Sequence, residues 1–416
     1  MQIDRRSIRS NRRKEIIVYL DYHSKVANGE GDLILDFRRL KDFNNFAEVF
    51  SEIYLNGTSV GTYLHITGYR TRKRLMRGCY YSLNVELLNK ARLEKITNSY
   101  LFIAAFHFAT ANSREWKGQE LLLSHEPLDA SELYWDYRQN PQNINLPQGL
   151  DPLQLYVSDV GQANWNELRL NGATIVQYDM GAELNATRQQ VDAVYKARRQ
   201  RIDARNKAIL IISHWDIDHI HGLCAMTDDD IRNTFRLVVC PNVMRSNTAR
   251  RILLRLSDSL TPARIYCISP YRHVPHTDYH VHPVLSRHNM ALYIGEHRRN
   301  LNHSGIVLMV KGNTLSVNFT GDSLLSQAEE ARHDAVRSGL YTDSHVLVAP
   351  HHGGANERKY MQYNTLPPSQ QTTVCISVGR GNQYGHPDAG MLHYLNLISG
   401  GNVMRTDYQG DITLNV

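Results

Sequence analysis

The chain has 416 residues, with 47 Lys and Arg against 41 Asp and Glu, 20 His and 42% hydrophobic residues. That length exceeds what one hydrophobic core usually organises, so two domains are expected. The net charge of +6 excludes an acidic, solvating protein, yet it is too mild to establish nucleic-acid binding until the charges are located.

Along the chain, strands are predicted at 15–22, 32–37 and 63–66, and an amphipathic helix at 84–96. The longest apolar run, 100–110, reads as a buried helix or strand, because it falls short of the ~18–20 apolar residues of a membrane span and carries His107. A polar, proline-bearing stretch at 138–152 suggests a boundary. It divides an N-terminal mixed α/β domain without an assigned fold (1–150) from a second domain (151–416). There, strands are predicted at 155–159, 174–178, 208–212, 236–240, 305–310, 314–319, 345–349 and 374–378. Helices are predicted between them at 187–201, 246–256, 325–337 and 389–397. Several of these strands are apolar without alternation, as expected when both faces of a sheet are covered. No internal repeat is legible. The N-terminus lacks the apolar core of a secretory signal, and five scattered cysteines form no CxxC pair. Reduced thiols and a cytoplasmic location are therefore expected.

The chemistry concentrates in 208–223, AILIISHWDIDHIHGL, where an apolar strand ends at Ser213 and His214, Asp216, Asp218 and His219 follow within six residues. Unpaired carboxylates and imidazoles so dense are costly in a core, but on a loop after a buried strand they can converge on a divalent cation. Imidazole nitrogen with carboxylate oxygen suits Zn²⁺ or Mn²⁺. Two later strands also run into ligand-type residues: Asp322 in the TGD at 320–322, and His351 and His352 in the PHHG at 350–353. Three such strand ends point to one sheet edge.

The run His214-x-Asp216-x-Asp218-His219 resembles the H-x-H-x-D-H signature of the metallo-β-lactamase superfamily, with Asp in place of the second His. With DVGQ at 159–162, YDMG at 178–181, SVG at 377–379, YGHP at 384–387 and RTD at 405–407, it looks like the hydrolase domain of ComEC-type DNA-uptake proteins and their soluble relatives. The resemblance covers about 155–416. It implies an αββα sandwich with two divalent metal ions at one edge: His214 and Asp216 on one, Asp218 and His219 on the other, and Asp322 bridging. His352 matches the last ligand position better than His351, His303 would be an additional ligand, and Asp179 would anchor a loop. Asp218 and His386 would be catalytic, His386 by contacting the scissile phosphate or protonating the leaving group, unless it only buttresses its turn. Two departures stand out: GQANW at 161–165 replaces the relatives' GQGDA, and Val348 stands near their lysine.

Basic residues cluster in an N-terminal arm, in a block containing Arg72, Lys73 and Arg74, and around Arg198 and Arg199. Such blocks supply phosphate contacts. The histidine-rich stretch 273–303 is expected to be a solvated, irregular insertion. The leading expectation is a metal-dependent nuclease, DNA favoured over RNA, serving as an effector in genome or antiphage defence with a regulatory partner on its N-terminal domain. A small-substrate hydrolase (cyclic nucleotide, lactone or thioester) and a partner-binding assembly protein with secondary hydrolase activity are the alternatives.

Overall fold

The computed structural model describes residues 15–25, 31–50, 61–69, 75, 78–96, 100–107, 123–126, 144, 146, 152–199, 207–270, 280–296, 301–355, 371–382 and 384–416. The chain divides into two compact units, one of Met1–Leu133 with Met244–Leu253 and one of Tyr134–Val243 with Leu254–Val416.

In the first unit the described strands are β1 (Glu15–Lys25), β2 (Gly31–Phe37), β3 (Gly61–Tyr69), β4 (Tyr80–Asn84), β5 (Arg92–Ile96), β6 (Leu101–His107) and β7 (Leu123–Glu126). They form one sheet in the order β5-β6-β3-β2-β1-β4-β7, antiparallel except for the parallel β3–β6 pair. Helix α1 (Leu40–Val49) sets Phe46 into the core beside Phe37 and Phe106. Residues 244–253 join this unit: the Tyr80 hydroxyl donates to Arg245 O at 2.7 Å, and Thr248 N donates to the buried Asp36 carboxylate.

The helix predicted at 84–96 is replaced by a 3₁₀ turn, Val85–Lys90, followed by β5. The Asn84 side chain accepts from Glu86 N and starts the turn. Buried Val85 and Leu88 fit a short helical spacing, but Arg92 and Glu94 face solvent on either side of half-buried Leu93, as in an edge strand. The apolar run at 100–110 contributes β6, a strand.

The second unit holds two sheets. The first contains β8 (Leu153–Val157), β9 (Asn166–Leu170), β10 (Ala173–Tyr178), β11 (Ala208–Ile211), β12 (Phe235–Pro241) and β13 (Ile265–Ile268), with β21 (Ile412–Asn415) beside β8. The second runs in order from β14 (Val281–Ser286) through β15 (Met290–Gly295), β16 (Ile306–Lys311), β17 (Ser316–Phe319), β18 (Ser344–Val348) and β19 (Gln371–Ile376) to β20 (Val403–Arg405). Each sheet opens as an antiparallel meander and continues as parallel strands: β10–β11–β12–β13 in one, β17–β18–β19–β20 in the other. The two halves thus share one wiring although their sequences show no repeat.

Helices α2 (Arg188–Arg199), α3 (Ile217–Ile220), α4 (Asp228–Thr234) and α5 (Asn247–Leu260) lie between parallel strands of the first half. Helix α6 (Leu325–Arg337) joins β17 to β18, and α7 (Ala389–Ile398) joins β19 to β20. One core cluster contains Val157, Val176 and Ile211 from the first sheet with Leu308, Phe319 and Val346 from the second, so the sheets face each other. The alternate residues of the second sheet pack outward: Leu347 and Val374 against Met391 and Leu395 of α7, Val307 and Met309 against Ala331 and Ala335 of α6. The architecture is the αββα sandwich that the sequence resemblance implies.

The histidine-rich stretch departs from expectation in its described part, which forms the β14–β15 hairpin. Pro283 is accommodated because β14 is an edge strand, where a missing backbone donor costs nothing. His280 pairs with Glu330 at 2.9 Å and His282 lies 4.0 Å from Glu296. His273, His276 and His297 lie outside the described residues.

Candidate metal centre

Five strands of the sandwich end at the same edge. The register pairs Tyr178 with Ile211, Phe319 with Val348, and Val348 with Cys375, so the segments after β10, β11, β17, β18 and β19 emerge side by side. Those segments carry Asp179, 213–219, 320–322, 350–354 and 377–379. The two sheets are also tied at this edge, where Ile306 N donates to Ser213 O at 2.9 Å and the Tyr178 hydroxyl donates to Ile306 O at 2.6 Å.

Asp322 lies at the centre and is almost wholly buried. Its two oxygens face different neighbours. Oδ1 is 3.1 Å from His219 Nε2 and 3.8 Å from His352 Nε2, whereas Oδ2 is 3.8 Å from His214 Nε2 and 3.7 Å from His351 Nε2. On the Oδ1 side, Asp218 Oδ2 comes within 3.3 Å of His352 Nε2 and 3.9 Å of His219 Nε2. On the other side, Asp216 Oδ2 lies 3.5 Å from His214 Nε2. Among the described residues, two groups have ligand atoms close enough to share an ion: His214, His219 and Asp322, and Asp218, His219 and His352.

Four atoms in these groups, the Nε2 atoms of His214, His219 and His352 and Asp322 Oδ1, are buried with no hydrogen-bond partner among the described residues. Buried polar atoms are nearly always satisfied, so four such atoms converging on one another are the pattern that cation ligands make. The donor set fits a divalent ion that takes nitrogen and oxygen ligands.

The other ring nitrogens are fixed from behind. Asp179 Oδ2 accepts from His219 Nδ1 at 2.7 Å and from the Ser213 hydroxyl at 2.8 Å, while Asp179 Oδ1 accepts from Ser213 N at 2.7 Å. His352 Nδ1 lies 2.8 Å from Ser377 O. Each bond holds a proton on Nδ1 and turns Nε2 inward, the usual support of a ligating histidine.

Opposite charges in the cluster shift one another's proton affinity. Burial alone would raise the Asp322 carboxyl, but His351, His219 and His214 outweigh it and hold the group well below the usual carboxylate range. Asp218 is likewise held low against its burial by His219 and His352. His219 is pushed well above the ordinary imidazole value despite burial, by Asp322, Asp179 and Asp218.

The backbone is unusual where the ligand types sit. Asp179, His351 and His352 adopt φ of 57°, 49° and 53°, a left-handed region that costs a non-glycine residue about 1–2 kcal/mol. Two consecutive left-handed residues let the adjacent imidazoles of His351 and His352 flank Asp322 from opposite sides. Close packing fixes the loops further: a Cβ on Gly181 would lie 1.7 Å from Asp218 O, and one on Gly353, itself at φ +75°, would lie 2.7 Å from Pro387 Cβ.

Of the other residues singled out by sequence, His386 stands beside the cluster, its ring centre 5.1 Å from that of His351 and 6.4 Å from that of His352. Asn382 grips the His386 backbone at both N and O. His303 belongs to neither metal-type group and offers its carbonyl to Gln327; its neighbour Asn302 donates to Asp322 Oδ2 at 3.3 Å instead. Arg198 is drawn inward to Asp411 at 2.8 Å and to the Ser158 hydroxyl, while Arg199 pairs with Asp230 yet stays 61% exposed. Arg72, Lys73 and Arg74 lie outside the described residues. Sequence reasoning missed Asn302, Ser213 and Ser377 as site residues. Ser213 and Asn302 each adjoin a histidine in the sequence, and Ser377 lies in the SVG segment at 377–379.

No family model and no curated protein matches this chain. Among solved structures, it is similar to Tm1679, a metal-dependent hydrolase of the β-lactamase superfamily, at 14% identity over 64% of this chain and 99% of that one, with a TM-score of 0.36. Human short-form tRNase Z follows at 12% identity over 61% and 91%, TM-score 0.32. CmlA, a diiron β-hydroxylase from Streptomyces venezuelae, matches at 16% over 64% and 54%, TM-score 0.34.

Proposed function

We propose that this chain is a metal-dependent phosphodiesterase acting on nucleic acid, DNA foremost, through two divalent ions. The observation that carries the reading is the division of Asp322, whose two oxygens face separate sets of imidazole and carboxylate groups. On this reading His214, Asp216 and Asp322 hold one ion with His351 alongside, and Asp218, His219, His352 and Asp322 hold the other. Bound there, zinc or manganese would supply an acidified water and neutralise phosphodiester oxygens.

The chain's own groups do the rest. Asp179 and Ser377 fix ring orientation from behind. Asp218, whose side chain keeps 17% exposure, is the site carboxylate best placed to accept a hydrogen bond from an attacking water. His386, held at the rim by Asn382, is positioned to give a proton to the leaving oxygen. Exposed Lys196 and Arg199 on α2, together with the sequence resemblance to ComEC-type hydrolase modules, support a polyanionic substrate. The setting we propose is a cytoplasmic effector of genome defence, with the N-terminal unit receiving a regulatory partner.

The test is metal analysis of the purified chain together with cleavage of linear, circular, single- and double-stranded DNA and of RNA, with Asp218→Ala and His219→Ala as controls. Two ions per chain and a loss of cleavage of about 100-fold or more in both variants are expected. Intact polynucleotides alongside hydrolysis of a small phosphodiester would keep the metal site and replace the substrate class. Absence of bound metal would remove the proposal altogether.

A further inference from the structure

Two of the five cysteines are neighbours. Cys240 on β12 and Cys267 on β13 are register partners in a parallel pair, and their Sγ atoms lie 3.7 Å apart. Val239, Tyr266 and Ile268 point into the core between the sheets, so strand alternation sets both thiols on the outer face. Cys240 is fully buried and Cys267 is part-exposed on the edge strand. Adjacent strands stand about 4.8 Å apart, inside the Cα separation of about 4.4–6.8 Å that a disulfide accepts. Closing the pair needs the sulfurs to approach by about 1.7 Å.

We propose that Cys240 and Cys267 form a reversible dithiol–disulfide couple, a modification site separate from the metal centre, oxidised by a hydroperoxide. The accessible Cys267 thiolate attacks the peroxide oxygen, becoming a sulfenic acid and releasing hydroxide or alkoxide. Cys240 sulfur then attacks Cys267 sulfur, the S–S bond forms, and the S–O bond breaks. With hydrogen peroxide the balance is two thiols plus one peroxide giving one disulfide and two waters. The order follows from access: burial, reinforced by the neighbouring sulfur, pushes the Cys240 thiol well above its ordinary value, so Cys240 serves as the resolving group.

The position has a structural consequence. Pro241, next to Cys240, accepts from Trp215 Nε1 at 2.7 Å, and Trp215 lies within the histidine–aspartate loop. Asn242 N donates to Ile268 O at 2.9 Å, so β12 and β13 stay joined where the bond would form.

The test treats the reduced, natively folded full chain with hydrogen peroxide and follows intact mass and non-reducing peptide maps. A loss of about 2 Da, one linked peptide joining Cys240 to Cys267, and reversal by dithiothreitol are expected. Cys267→Ser and Cys240→Ala should each lower the linked fraction at least about tenfold. The serine variant, at the part-exposed position, keeps the test valid if the alanine variant folds poorly. Stable gains of about 16 Da or multiples at Cys267 without a link, a link through Cys79, Cys224 or Cys375, or retention of all five free thiols would each overturn the proposal. None of these readouts depends on metal or on hydrolysis.

Discussion

Replacing Asp179 with Asn isolates what one buried carboxylate does for the metal centre. Asp179 accepts three hydrogen bonds: Oδ1 from Ser213 N, and Oδ2 from the Ser213 hydroxyl and His219 Nδ1. Asn keeps the size of the side chain and tolerates the φ of 57°, so the turn should survive. In the amide, the oxygen must stay on Ser213 N, because the reverse orientation sets donor against donor at a cost of about 1–3 kcal/mol. The NH₂ group then meets His219 Nδ1, which must become an acceptor and move its proton to Nε2, the atom facing Asp322 at 3.1 Å. A protonated Nε2 cannot ligate. Losing a charge-assisted hydrogen bond is worth about 1.5–3 kcal/mol, or roughly 10–100-fold in metal affinity, the usual scale for removing a ligand's outer partner. Chelator competition with zinc or manganese on wild type and Asp179→Asn, with thermal unfolding to confirm folding, measures it. A folded Asp179→Asn that holds both ions within about twofold of wild-type affinity would refute the tautomer argument.

Gly181→Ala should disrupt the same loop without altering a ligand. The new methyl meets Asp218 O at 1.7 Å, and overpacking of this kind costs about 1–3 kcal/mol, so calorimetry should show a lowered melting temperature together with weaker metal binding. Metal uptake should release protons and tighten as pH rises, because His219 is held well above the ordinary imidazole value and must deprotonate to ligate; titration calorimetry in buffers of different ionisation enthalpy counts them. His345, whose pKa burial lowers to about 3, is neutral when folded but protonates near its ordinary value of 6.5 once unfolded. Its contribution to stability is therefore full above pH 6.5 and lost as pH falls from there toward about 3. His345→Gln should flatten the acid limb of the unfolding free energy against pH by an amount on the order of a few kcal/mol, and an unchanged limb would contradict this.

The sequence announced the site through ligand chemistry and strand ends. His214, Asp216, Asp218 and His219 follow an apolar strand immediately, and charge that dense is too costly beside a core unless a cation gathers it. Helix α6 begins and ends at its predicted residues, since Leu325, Ala328, Ala331 and Ala335 recur at helical spacing. The 84–96 segment misled because two leucines and a valine fit a helical turn before the pattern changes to alternation. The role of Asn302 was hidden because only the folded chain sets that amide against Asp322, and a small polar residue near a histidine carries no distinguishing signal. Arg198 looked like one cation in a basic block, yet Asp411, 213 residues away in sequence, claims it. The common wiring of the two halves left no trace in the sequence, because topology constrains residue identity far more loosely than it constrains apolar pattern and turn placement.

That wiring makes the centre a seam. His214, Asp218 and His219 come from the half that β8 begins, and Asp322 and His352 from the half that β14 begins, so neither half carries the complete set of candidate ligands. A chain interrupted before β14, by stalled synthesis or by proteolysis, would hold histidines and carboxylates without the central Asp322 to join them. Gathering these groups would then require both sheets to be present and closed on each other. Halves produced as separate polypeptides should each be inert and regain metal only on reassociation, a complementation pair built into the fold.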